Sequence, residues 1–289
     1  MKFENLIIFV TKVEWDTAAG VPEVQRIATS LNLDTNEVQS ITTSVEDIDE
    51  VQIITTSAAP SNEIQSITIS PIPGEVSLNF MLSYSLMLDT VASGGSIEYS
   101  GEISATANSA GSRDSLSEII GAMKNVDSSP IVTKSGMNPD GGHTYWVTFP
   151  TSMKDVPQMK VYLSDLPVST STTANANLLD GFFRLEYFNE VTDPIPSDAD
   201  EADMQDALEN LESIGKVLVT RSDSDDQNGY SWTIQFISVM NGGNLADLII
   251  HPDGLTTTNS TVGGSTVKIE EGGTEGSFIY GNFTLIFGM

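Results

Sequence analysis

Over 289 residues the chain carries 40 Asp+Glu against 12 Lys+Arg and no cysteine, for a net charge of -28 and a pI near 4.1. This excludes disulfides, thiolate metal sites and cysteine nucleophiles, as well as the clustered Lys/Arg that nucleic-acid or anionic-membrane binding requires. No apolar run approaches the ~20 residues that span a bilayer, so no membrane insertion is expected.

Length allows about two domains. Histidine occurs only at His143 and His251, too few for histidine-rich metal sites. Ser and Thr fill 62 positions while Lys is scarce, a balance associated with extracellular β-proteins.

At the start of the chain, Leu6–Val10 is an apolar run bracketed by Glu4 and Lys12. It is shorter than the ~7–15 residues of a signal-peptide core and reads as a strand. Thr11-Lys12-Val13-Glu14 resembles Val267-Lys268-Ile269-Glu270. Residues 1–22 are therefore expected to be the last strand or strands of a preceding module.

Residues 23–75 are organised by repetition. The triplet Glu-(Val/Ile)-Gln begins at Glu23, Glu37, Glu50 and Glu63, with Ile following at Ile27, Ile41, Ile54 and Ile67; a degenerate fifth start is Glu75-Val76. Side chains alternate along a strand, so Val24 and Ile27 point to opposite sides and each copy has a thin apolar foothold on both faces. Such copies cannot build a core alone. The segment is expected to be an extended β-repeat connector, either a meander packed on a partner or a stalk reaching roughly 150 Å; the competing reading is a disordered Thr-rich linker.

Two longer copies of one module are expected at 76–178 and 179–276. Phe80-x-Leu82-x-Tyr84 matches Phe183-x-Leu185-x-Tyr187, and both match Phe283-x-Leu285-x-Phe287; all three have the two-residue period of a strand. Next comes a short helix in each copy. Leu116, Ile119, Ile120 and Met123 line one face, as do Met204, Ala207, Leu208 and Leu211. Acidic residues crowd the start of the second helix and Gly215 suits its end. A further strand aligns His143-x-Tyr145-x-Val147-x-Phe149 with Tyr230-x-Trp232-x-Ile234-x-Phe236. The fold class is mainly β: tandem modules of one helix each, either immunoglobulin-like sandwiches or α+β sheets. Residues 277–289 read as the first strand of a following module, with Phe283, Leu285 and Phe287 an assembly strand; either the chain is a segment of a longer array or this strand completes a neighbouring subunit.

Several motifs invite chemistry. Asp223, Asp225, Asp226 and Asn228 lie in one loop and could offer oxygen ligands to calcium, although the EF-hand spacing is absent; the competing reading is a solvated hairpin loop. Asn259 and Asn282 head N-glycosylation sequons, and Thr170–Thr173 and the repeat threonines are candidates for O-glycans. Trp232 and Tyr230 alternate with Ile234 and Phe236, which suits core better than a sugar platform. No nucleophile is paired with a base in the sequence pattern, so no enzyme is expected.

The Glu-Val-Gln-x-Ile-Thr-Thr-Ser repeat is similar to repeats in the large secreted glycoproteins of heterokont algae. So is the module with Met-Gln-x-Ala-Leu, Val-Thr-Arg-Ser and Asn-Gly-Tyr-x-Trp-x-Ile-x-Phe between Phe183 and Phe236. These glycoproteins include the tubular mastigoneme (flagellar hair) and sexually induced protein family. The resemblance spans nearly the whole chain. It implies a structural, glycosylated filament component on the cell or flagellar surface, with itself or related repeat proteins as partners and without catalysis. The alternative expectation is a cell-surface adhesin that holds a glycan or ligand on calcium-stabilised loops.

Overall fold

The computed structural model describes residues 24–30, 36–46, 48–70, 83–91, 94–139, 141–259, 264–270 and 274–277, together with 279, 281, 282 and 284. The expected strands in 1–22, the start at Glu75-Val76, and Phe80, Leu82, Phe283, Leu285 and Phe287 lie outside them.

The fold is mainly β, as the alternating patterns require. The four repeat copies give β1 (Val24–Ser30), β2 (Asn36–Thr42), β3 (Val51–Ser57) and β4 (Ile64–Ile69). The first module continues with β5 (Ser83–Asp89), β6 (Ile97–Tyr99), β7 (Ile103–Ser104) and α1 (Leu116–Gly121). It ends with β8 (Ile131–Lys134), β9 (His143–Thr148), β10 (Lys160–Ser164) and β11 (Val168–Ala174). The second holds β12 (Leu179–Tyr187), β13 (Glu190–Val191), β14 (Ile195–Pro196), α2 (Glu201–Glu209) and β15 (Val217–Arg221). It finishes with β16 (Ser231–Phe236), β17 (Ile249–His251), β18 (Leu255–Thr257) and β19 (Thr266–Glu270).

Each module is two antiparallel sheets around one core. In the first, β10-β5-β6 with β7 faces β11-β4-β9-β8; in the second, β12 with β13, β14, β17 and β18 faces β15-β16-β3-β19. Tyr84, Leu86, Ile67, Tyr145 and Val147 meet in one core, and Phe183, Leu185, Ile54, Trp232 and Ile234 in the other. Each such side chain contributes about 1.5–3 kcal/mol on burial. Phe183 and Trp232 lie 5.7 Å apart and tilted, so Trp232 belongs to the core.

The third and fourth repeat copies are thus not a connector standing between modules. β4 is an inner strand of the first module, and β3 is an inner strand of the second. The order β11-β4-β9-β8 repeats as β19-β3-β16-β15, with Ile67↔Tyr145 in one register and Ile54↔Trp232 in the other.

Two local expectations change. Hydrogen bonding aligns the opening strands differently. Leu86 exchanges bonds with Ser100 as Leu185 does with Thr192, so Tyr84-x-Leu86-x-Leu88 is the counterpart of Phe183-x-Leu185-x-Tyr187, four residues beyond the pattern beginning at Phe80. Gly215 is not the α2 cap. The helix ends at Asn210, and Gly215 instead lets Ser238 approach where a Cβ would lie 2.2 Å from its hydroxyl oxygen. The start of α2 is as the acidic run suggests, with the Asp200 carboxylate accepting from the Asp203 N–H at 2.9 Å.

Candidate functional site: the strand slot of each module

Alternation in β3 and β4 decides what the repeat is for. The inward residues are Glu50, Gln52, Ile54 and Thr56 in one, and Glu63, Gln65, Ile67 and Ile69 in the other. Gln65 is 0% and Glu63 1% exposed, Gln52 3% and Glu50 5%. Buried amides and carboxylates are tolerated only when hydrogen-bonded, and both copies find the same partners.

The glutamine bridges the two sheets. Gln65 Oε1 accepts from the Met159 N–H at 2.8 Å, and its Nε2 donates to the Val156 and Pro157 carbonyls at 2.9 and 3.1 Å. Gln52 Oε1 accepts from the Leu248 N–H at 3.0 Å, and its Nε2 donates to the Ala246 carbonyl at 3.1 Å. Met159 and Leu248 immediately precede β10 and β17, strands of the opposite sheet, so each amide fixes the far sheet to the inserted strand.

The glutamate holds the end of the module. Glu63 Oε2 accepts from the Ala176 N–H at 3.1 Å, and Glu50 Oε2 from the Gly276 N–H at 2.7 Å, each just past the module's last strand. Glycine is required at 276, where a Cβ would lie 2.0 Å from the Gly243 carbonyl oxygen. The Glu63 and Glu50 carbonyls accept from Phe149 and Phe236, both at 2.9 Å. Burial pushes the Glu63 carboxyl above the ordinary carboxylate range, opposed by the Gln65 amide and Ala176 N–H and assisted by the Asp155 charge.

Aromatic partners of the inserted isoleucine are equally matched. Tyr145 donates its hydroxyl to the Ala107 carbonyl at 2.5 Å, and Trp232 its indole N–H to the Ala199 carbonyl at 3.0 Å. Lys134 and Arg221 donate to those same carbonyls at 3.0 and 2.8 Å. The slot is therefore one recurring receptor for Glu-x-Gln-x-Ile. Comparison with protein-family models gives no match, and comparison with curated proteins gives none.

The acidic loop sits where the modules meet. Asp225 Oδ1 accepts from the Gln227 and Gly229 N–H groups at 2.8 and 2.6 Å, folding the loop on itself. Asp226 Oδ2 accepts from the Thr151 hydroxyl at 2.6 Å, and Asn228 Oδ1 from the Lys154 ammonium at 2.6 Å. Lys154 also donates to the Ser224 hydroxyl at 2.9 Å, and the Asp223 carbonyl accepts from Ser222. The loop thus clasps the first module. Among the described residues no three His, Asp or Glu side chains are grouped to hold a metal ion.

Asn259 lies in the same junction, its Nδ2 donating to the Asn175 carbonyl at 2.9 Å; that nitrogen is the atom an N-glycan would use. Asn282 is exposed. Thr170 and Thr173 donate their hydroxyls to the Met159 and Ile64 carbonyls at 2.6 and 3.0 Å.

Sequence reasoning placed the apolar residues of the repeat on both faces and missed that Glu and Gln turn inward. The signal was present: Glu, Gln and Ile recur two apart, which assigns them to one face.

Proposed function

We propose that the chain is a structural repeat subunit or segment of an extracellular glycoprotein filament of the mastigoneme type. One observation carries the reading: a tandem array of repeated strands supplies the inner strand to each of two equivalent modules, and the pairing of β3 with β16 joins residues as distant as Val51 and Gln235. A chain whose modules share one strand array gains rigidity along its length, since the six residues 58–63 between β3 and β4 hold neighbouring cores together. The sequence resemblance to mastigoneme glycoproteins points the same way. A net charge of -28 makes like modules repel, so stacking requires cations at the contacts.

Cryo-EM of the material in its native source tests the reading. A periodic fibre containing modules of this kind in series is the expected result. Isolated particles that bind a glycan on an array would instead support the adhesin reading.

A further inference from the structure

We infer that β1 and β2 are donor strands, each fitted to the inner slot of the second sheet in a further module of the same kind. The slot-facing residues carry the argument. In copy three these are Glu50, Gln52, Ile54 and Thr56, all buried. Copy two has Glu, Gln, Ile and Thr at 37, 39, 41 and 43, and copy one has them at 23, 25, 27 and 29. Residues 37–44 differ from 50–57 only where Ser40 stands for Ile53, and Ile53 lies on the outer, half-buried face. The three copies thus share one constant pattern, and that pattern fits one receptor.

Its polar members suit that receptor. In both filled slots the carboxylate and amide find backbone partners past the last strand and before the edge strand of the opposite sheet, and a buried amide lacking them is costly. β1 and β2 instead pair with each other, from Val24↔Thr42 to Ser30↔Asn36, as a separate two-stranded sheet. Such a hairpin is marginal alone in water, and its strand edges can add to another sheet.

Order assigns the receivers. Copy four fills the nearer module and copy three the next, a nested sequence. β2 accordingly matches a third module and β1 a fourth. The receiver is a further module of this type with a vacant slot, because both slots described here, in this chain and in any second copy of it, hold their own β3 and β4. The inference rests on the assembly reading for the supply of further modules.

Two full-length variants and a peptide test it. Ile53→Ser gives copy three the eight residues of copy two; the second module is expected to stay cooperatively folded, with Tm shifted by less than about 8 °C, and its unfolding would overturn the inference. Ile54→Asp combined with Ile27→Asp and Ile41→Asp vacates the slot and disables the chain's own competing copies, and a fluorescent peptide of residues 36–46 is then titrated by anisotropy. Binding about 10-fold tighter than to the unsubstituted chain, and lost with Ile41→Asp in the peptide, is expected. Equal or absent binding overturns it. Fibres missing from the native source would end the filament reading while leaving these binding results intact.

Discussion

At the residue scale, stability turns on two polar side chains placed inside a β-sandwich. Truncating Gln65 to alanine strands the Met159 N–H and the Val156 and Pro157 carbonyls, each costing about 1–3 kcal/mol when left unpaired. Urea unfolding of Gln65→Ala should therefore show a large loss confined to the first module. Glu63 gives a pH signature. Its carboxyl is held above the ordinary range by burial, so the folded state binds a proton more readily than the unfolded chain. The stability tied to this group is present below the unfolded value and lost as pH rises through the folded one. Relative to Glu63→Gln, the wild-type urea midpoint should rise as pH falls from about 7 to about 5; a constant difference would remove Glu63 from the account.

At the element scale, the two modules answer separately to their inserted strands. Ile67→Ala should destabilise the first module and Ile54→Ala the second, each by about 2–5 kcal/mol. Hydrogen exchange should show lost protection in β9 for one and in β16 for the other. Much of this architecture was legible in the sequence. The period-2 runs around Tyr145 and Trp232 and the helical spacing from Met204 to Leu211 mark elements that the structure contains. What could not be read was pairing. Nothing local in Glu-Val-Gln tells β3 to cross to residues 231–235 rather than join the adjoining module, because register is set by long-range partners. The candidate slot stayed hidden for a related reason. Glu and Gln are ordinarily solvent residues, and only the backbone groups brought by distant loops make their burial favourable.

At the scale of the whole molecule, polar contacts join the modules. Thr151 and Lys154 reach into the 223–229 loop, and Asn177 donates to the Ala59 carbonyl at 2.7 Å. Lys154→Ala should leave both cores folded, within about 1 kcal/mol by urea unfolding, yet broaden the distance distribution between modules in small-angle scattering. An unchanged distribution would assign the stiffness to the 58–63 segment instead.

The distance between β3 and its partners also has a consequence in time. β4 meets Thr144 across 76 residues, whereas β3 meets Ser231 across 176. During synthesis at about 5–20 residues per second, β3 waits about 10–35 s before its sheet partners leave the ribosome. The first module should accordingly be protease-resistant on nascent chains well before the second. Through that interval β3 is a strand without its sheet, which makes the cell's handling of the nascent chain part of how this protein reaches its final form.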